Sequence, residues 1–113
     1  MIASSEGPGD DGESDIQHEK NIRDYRLLRT SYKSVTSALG DGTSKSIVRD
    51  AVNNGLNVIN YTGHGWENGW GTTGFNSGDA SALTNGGRLP IVCSVACLVG
   101  SFQGDCFAEA WLR

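Results

Sequence analysis

The sequence contains no long apolar run. Hydrophobic residues make up 37% of its 113 positions, and no uninterrupted apolar stretch approaches the ~20 residues that a membrane-spanning helix needs, so no transmembrane segment is predicted. The first residues also lack the charged, apolar and small-residue segments of a secretory leader, so we expect any secretion signal to lie outside this segment. With 16 glycines, the composition predicts a loop-rich globular domain.

Positive charge is scarce. Nine lysines and arginines oppose 13 aspartates and glutamates, which gives a net charge of −4. A domain that binds nucleic acid typically presents a basic patch, so we predict no nucleic-acid partner. A cation or a substrate with a basic side chain fits this charge better. Five of the acids crowd the first fifteen residues: Glu6, Asp10, Asp11, Glu13 and Asp15.

Cysteine is also scarce, with Cys93, Cys97 and Cys106 all in the last quarter of the chain. An odd number of cysteines is not a disulfide scaffold. On one strand, Cys93 and Cys97 would have Cα atoms roughly 13 Å apart, beyond the ~7 Å that a disulfide spans. At least one thiol is therefore predicted to be free. A zinc site that combines these thiols with a histidine would need a CxxC-type spacing, which the sequence lacks.

Segments typical of strands alternate with segments typical of helices. We predict a strand end at residues 1–4, a mostly charged helix over 15–29, a short strand in "YKSVTSAL" and an amphipathic helix that Thr43 or Ser44 caps and Gly55 ends. The strand "LNVINY", a glycine-rich loop, a helical turn near "SGDASALTN", the strand "LPIVCSVA" and a helix at "DCFAEAWLR" follow. This alternation predicts an α/β fold with a mostly parallel sheet and helices on its faces. The runs "LNVIN" and "PIVCSVA" are typical of central strands buried on both sides.

Two groups with catalytic chemistry follow these two apolar strands. In an open parallel sheet, active sites form outside the carboxyl ends of the strands, where His64 and Cys97 are both expected. A histidine beside a cysteine can remove the thiol proton and later protonate a leaving group. Gly63 and Gly65 permit close backbone approach, and the N–H groups of Gly65 and Cys97 would form an oxyanion hole. From residue types alone, a turn histidine and a buried structural cysteine remain the alternative.

Four segments together carry a resemblance to a known family. "SSEGPGDDGESDIQHE", "NVINYTGHG", "LTNGGRLPIVCSVACLVGSF" and "CFAEAWLR" are similar to the catalytic subdomain of the gingipain family of cysteine peptidases, across nearly the whole chain. The resemblance implies a caspase-like three-layer sandwich with a mostly parallel sheet, and residues 1–113 as part of a catalytic domain truncated at both ends. It also implies a secreted or cell-surface protease that acts on proteins or peptides and requires no cofactor.

The same resemblance implies roles for individual residues. His64 matches the general base and acid, Cys97 the nucleophile, and Glu6 the acid that orients the histidine, whereas Cys93 and Cys106 match no catalytic position and are interpreted as structural. Asp15 and Thr62 match positions that line the pocket for a basic P1 side chain. Asp15 also fits the N-cap of the helix that follows it, and the sequence does not separate these two roles.

Calcium as a structural ion is a further implication. The carbonyl of Phe102 and the carboxylate of Glu109 match ligand positions, although the intervening "FQGDC" is about two residues shorter than in the family. A solvated acid on the last helix is the alternative for Glu109, because calcium takes about six to eight oxygens.

Three functions are therefore open. The first is a cysteine endopeptidase that cleaves after Arg or Lys, the second is a sortase-like transpeptidase with the same dyad, and the third is a non-catalytic binding module. The aromatic residues Trp66, Trp70 and Phe75 in the glycine-rich loop either form a cleft wall or lid, or pack the loop onto the core.

Overall fold

A parallel sheet organises the chain. The computed structural model describes residues 1–9 and 11–113. Within this part, four parallel strands run in the order β2-β1-β3-β6. A two-stranded antiparallel hairpin follows the third strand of the chain. The strands are β1 (Ile2–Ala3), β2 (Ala38–Leu39), β3 (Val58–Thr62), β4 (Gly65–Trp66), β5 (Gly69–Trp70) and β6 (Ile91–Val95).

The helices occupy the predicted segments. The first continues as a π-helix over Arg23–Leu27 into a last short turn, so the predicted span of 15–29 is confirmed. Ser44 caps the third helix through its side chain, and Gly55 follows that helix with φ +91°. The helices are α1 (Asp15–Ile22), α2 (Leu28–Thr30), α3 (Lys45–Asn53), α4 (Ser77–Ser81) and α5 (Phe107–Ala110). None of them is long and apolar enough to cross a membrane.

Alternation along β3 separates two layers of helices. Ile59 and Tyr61 point to one face, where Val48 and Val52 of α3 join the buried core. Asn60 and Thr62 point to the other face, where both contact Glu19 of α1. Helices therefore cover the sheet on both sides, which confirms the predicted three-layer α/β fold.

A cluster of aromatic rings packs beneath the glycine-rich loop. The ring of Trp70 is fully buried and stacks on Tyr61 with 4.7 Å between centroids. Phe75 is also fully buried, and Phe107 and Trp111 complete the cluster. Trp70 and Phe75 therefore pack the loop onto the core, whereas Trp66 is 46% exposed.

Two of the predicted strands differ from the expectation in their burial or their extent. Within the described residues β6 lies at one edge of the sheet, and its Ile91 and Val95 are 67% and 66% exposed, so this part of the chain does not bury β6 on both faces. Both side chains lie on the α1 side of the sheet, but α1 packs over β1 and β3 and does not reach them. In "YKSVTSAL", only Ala38–Leu39 pairs with the sheet.

Candidate active site

Three adjacent strands deliver three candidate catalytic residues to one edge of the sheet. The N–H of Ser4 donates to the carbonyl of Thr62 at 3.0 Å, and the N–H of Gly63 donates to the carbonyl of Val95 at 3.1 Å. These bonds extend the β1–β3 and β3–β6 ladders just past the strands. The residues that follow, Glu6, His64 and Cys97, are therefore brought to the same edge, as the parallel topology predicts.

The predicted catalytic and pocket residues line one cleft. It is shallow and open to solvent, and its acidic groups lie on the β1 and α1 side of the histidine, while the thiol lies on the β6 side. The lining consists of Glu6, Asp15, Thr62, Gly63, His64, Val95, Ala96 and Cys97.

Glu6 lies within hydrogen-bonding distance of the imidazole of His64. Its Oε1 lies 2.9 Å from His64 Nε2, although both side chains are largely exposed. This hydrogen bond, and secondarily the negative charge of Glu6, raises the pKa of His64 above its ordinary value. Because Nε2 is engaged by the carboxylate, Nδ1 is the ring nitrogen that remains to exchange a proton with a thiol or a substrate.

The backbone of His64 is fixed from the buried core. Its carbonyl accepts hydrogen bonds from the hydroxyl of Tyr61 and from the N–H of Gly71, the latter at 2.9 Å. Tyr61 is itself fully buried, and burial raises the pKa of its phenol. The exposed imidazole of His64 is thus attached to a main chain that buried groups hold in place.

The glycines on either side of His64 are required by close contacts. A Cβ on Gly63 would lie 2.8 Å from Cβ of Ser4, and φ there is +155°. A Cβ on Gly65 would lie 2.9 Å from the carbonyl oxygen of Cys97 and 2.9 Å from Cβ of Ala96. The histidine loop therefore packs directly against the backbone of the cysteine loop, which a larger residue would prevent.

A tight turn presents Cys97. The N–H of Val99 donates to the carbonyl of Cys97 at 2.8 Å, and Leu98 between them has φ +59°. A non-glycine residue in this conformation stores strain, which is common at functional sites. Ala108 of α5 donates to the carbonyl of Val99 at 2.9 Å and anchors the turn. Leucine is not a typical turn residue, so nothing in the sequence indicated this geometry at position 98.

The three cysteine thiols differ in their exposure to solvent. All three are free, which confirms the prediction of at least one free thiol. Cys97 is exposed in the cleft, and Cys106 is buried at the start of α5, in keeping with a structural role. Cys93 is exposed on β6, so no burial supports the structural interpretation of this residue within the described chain.

Asp15 and Thr62, the two predicted pocket residues, both line the cleft. The cap of α1 is Ser14, whose side chain accepts from the N–H of Gln17, so the alternative of Asp15 as the N-cap is wrong. Asp15 Oδ2 instead accepts from the hydroxyl of Ser4. Thr62 Oγ1 donates to Glu19 Oε1 at 3.0 Å. Both predicted pocket residues are held by partners below the cleft.

Two of these partners were missed from the sequence. Ser4 is fully buried, donates to Asp15 and accepts from the N–H of Glu6 at 3.1 Å, so one hydroxyl positions two acids. Glu19 is 1% exposed although it is charged in isolation. Its spacing of four residues from Asp15 places both acids on one face of a helix, and this spacing was the available signal.

One of the two predicted calcium ligands, Glu109, has other partners. Glu109 Oε2 accepts from the N–H of Cys106 at 2.9 Å and completes a capping box, and its Oε1 lies 3.8 Å from Arg113. With the carbonyl of Phe102, at most two oxygens are offered, whereas calcium takes about six to eight. This donor set does not fit a calcium ion by itself, so no step of the mechanism uses one, and the ion stays a prediction.

Comparisons with known proteins identify the family of this chain. The family model of peptidase family C25 matches residues 1–113. Gingipain R2 of Porphyromonas gingivalis is 42% identical over 99% of this chain, which spans 16% of that protein. Gingipain R1 of the same organism is also 42% identical over 99% of the chain, which spans 12% of it. The chain thus covers only a small part of these relatives.

Solved structures show the same fold. The crystal structure of the Arg-specific cysteine proteinase gingipain R superposes with a TM-score of 0.88 and 42% identity, over 96% of this chain and 26% of that one. The complex of the pro- and mature domains of RgpB from Porphyromonas gingivalis gives the same TM-score at 41% identity. The matched length, identity and fold show that this chain belongs to peptidase family C25, a family of cysteine endopeptidases that includes the gingipains.

Proposed function

We propose that this chain supplies the catalytic Cys/His dyad of a cysteine endopeptidase. The observation that carries the proposal is the placement of Glu6, His64 and Cys97 at the ends of three adjacent parallel strands, with Glu6 2.9 Å from the imidazole. A thiol, a base and an orienting acid on one rigid edge form the arrangement that nucleophilic catalysis requires.

The reaction uses these groups in sequence. His64 accepts the thiol proton as Cys97 Sγ bonds to the peptide carbonyl carbon, whose π electrons move to the oxygen. The N–H groups of Gly65 and Cys97 stabilise this oxyanion. As the C–N bond breaks, His64 donates the proton to the leaving amine, and a thioester remains. Water then attacks the thioester with His64 as base, which releases the acid and restores the thiol.

We infer a preference for a basic P1 side chain. Glu6 and Asp15 give the cleft two carboxylates, and the structure describes no lysine or arginine in its lining. The related gingipain R is named as Arg-specific, which supports arginine as the first residue to test. A secreted or cell-surface location accompanies this proposal, since a protease of this kind acts on external proteins.

Labelling with an arginyl chloromethyl ketone tests the proposal directly. In the intact protein we expect covalent modification of Cys97, mapped by mass spectrometry of the digested adduct. The exposed Cys93 serves as an internal control because it lies outside the cleft. Labelling of Cys93 or Cys106 with Cys97 unmodified would contradict the assignment, and no labelling at all would favour the non-catalytic module. Products formed with an added amine separate hydrolysis from sortase-like acyl transfer.

Replacing Glu6 by glutamine is expected to move the pH profile of hydrolysis to lower pH. Glu6 raises the pKa of His64 by accepting from and attracting the protonated ring, so without this carboxylate the ring loses its proton at lower pH. In a plot of kcat/KM against pH, measured between about pH 5 and pH 9, the limb that reflects the ionisation of His64 should move to lower pH. We expect kcat to fall about tenfold, because a positioned acid–base group contributes about 10²–10⁴-fold and His64 itself remains.

Glu13→Gln provides the matched control for this experiment. Glu13 contacts the other histidine, His18, at 3.2 Å on the surface and is absent from the cleft. This variant should leave the profile unchanged. An unshifted profile in Glu6→Gln would show that Glu6 does not orient the imidazole during catalysis.

A further inference from the structure

A buried acid lies directly behind the pocket. Glu19 is 1% exposed, and its Oε1 accepts from Asn60 Nδ2 at 2.7 Å and from Thr62 Oγ1 at 3.0 Å. Its Oε2 is buried and has no hydrogen-bond partner among residues 1–9 and 11–113. A carboxyl group buried with an incomplete set of partners costs free energy that an apolar residue would not. A requirement other than stability therefore accounts for the acid at this position.

The hydrogen bond to Glu19 determines where the proton of the Thr62 hydroxyl points. A threonine hydroxyl has one proton to donate and two lone pairs that accept. Burial raises the pKa of Glu19, yet a proton on Oε2 still leaves Oε1 as an acceptor, so the Thr62 proton is directed to Glu19 in either state. Toward the cleft, which Thr62 lines, only its lone pairs are available.

Asp15, the other predicted pocket residue, also offers only hydrogen-bond acceptors to the cleft. Asp15 also lines the cleft, and its carboxylate accepts the hydroxyl proton of Ser4 through Oδ2. Asp15 and Thr62 therefore present acceptors and no donor side chain to a bound ligand. A guanidinium or ammonium group, which only donates, complements such a wall, whereas an amide or urea carbonyl oxygen does not.

We propose that Glu19 is a positioning residue for substrate selection, which holds Thr62 as a hydrogen-bond acceptor toward the P1 side chain. This inference rests on the proposed peptidase function. Without the Glu19 acceptor, the Thr62 hydroxyl turns its proton toward the cleft and accommodates a carbonyl oxygen. Glu19 itself does not touch the substrate, so its removal changes which side chain is preferred more than it changes the chemical step.

Two variants of Glu19 in the intact protein test the proposal. The substrates are two fluorogenic peptides that differ only at P1, with arginine or with citrulline, its uncharged isostere that ends in a carbonyl-bearing urea. In Glu19→Met, the arginine-to-citrulline ratio of kcat/KM should fall about tenfold, since a hydrogen bond to a charged group is lost and a new one to the carbonyl is gained. Glu19→Gln keeps a carbonyl acceptor for Thr62 and should hold the ratio within about twofold of wild type.

Four comparisons make the outcome decisive. Thr62→Val removes the hydroxyl without altering the buried acid and should lower the same ratio, so an unchanged ratio there overturns the inference even if Glu19→Met does not fold. Asp24 is an exposed acid on the same helical segment, and Asp24→Asn should leave the ratio unchanged.

Equal losses of kcat/KM on both substrates in Glu19→Met would show that Glu19 has a purely structural role. Absence of hydrolysis by the wild type overturns the peptidase proposal as well, whereas wild-type hydrolysis with unaltered ratios overturns this inference alone.

Discussion

Replacing Cys97 by alanine is expected to lower kcat/KM for an arginyl peptide by at least about 10⁴-fold, because removal of a nucleophile eliminates the covalent route and leaves only binding and oxyanion stabilisation. The substituted side chain is exposed in the cleft, so folding should be unaffected. Initial rates with a fluorogenic substrate, together with the thermal midpoint of unfolding, measure both expectations.

Cys93→Ala is the matched control for this loss. Cys93 is also an exposed, free cysteine and lies four residues earlier, on β6, outside the cleft. Its replacement should leave kcat/KM within about twofold, as expected of a surface substitution away from the site. If Cys93→Ala abolished hydrolysis and Cys97→Ala did not, the nucleophile would be misassigned.

The layered fold was predictable because burial leaves a pattern in the sequence. Two apolar runs, around Ile59 and Val92, mark two of the strands, and the glycine after α3 marks where that helix ends. The exposure of Ile91 and Val95 was not predictable, because it depends on which helix packs over β6. An apolar strand has the same sequence whether or not a neighbour covers it.

The chemistry of the site was predictable where strand ends determine it, and not where distant side chains do. His64 and Cys97 follow parallel strands, and topology alone brings them to one edge. Glu19 contacts Asn60 and Thr62, which are 41 and 43 residues away from it in the sequence, and no local sequence pattern predicts such contacts. The strained backbone of Leu98 was also not predicted, because it accompanies the hydrogen bond from the N–H of Val99 to the carbonyl of Cys97.

Rigidity of the site comes from the aromatic core. The Trp70 ring stacks on Tyr61, and the Tyr61 hydroxyl donates to the carbonyl of His64. Trp70 Nε1 also donates to Ser94 on β6 at 2.9 Å. One buried cluster therefore contacts both strands that precede His64 and Cys97, which explains how a loop-rich segment can hold two exposed candidate catalytic groups in place.

Replacing His64 by alanine is expected to lower kcat about 10³-fold, within the range that a positioned acid–base group contributes. The thiol then lacks a base during attack, and the leaving amine lacks an acid. Because the imidazole is exposed and its carboxylate partner Glu6 is unaffected, added imidazole can occupy the vacated position. We expect imidazole to restore part of kcat in His64→Ala in a concentration-dependent manner, and to restore nothing in Cys97→Ala.

Two further variants show whether the rescue depends on this geometry. His18→Ala removes the other histidine, which is exposed and bonded to Glu13, and should leave kcat unchanged. The double variant His64→Ala with Glu6→Gln should lose most of the rescue, because the group that binds and orients imidazole at 2.9 Å is then neutral. Equal rescue in the single and double variants would remove Glu6 from the mechanism, and full activity in His64→Ala would remove the dyad itself.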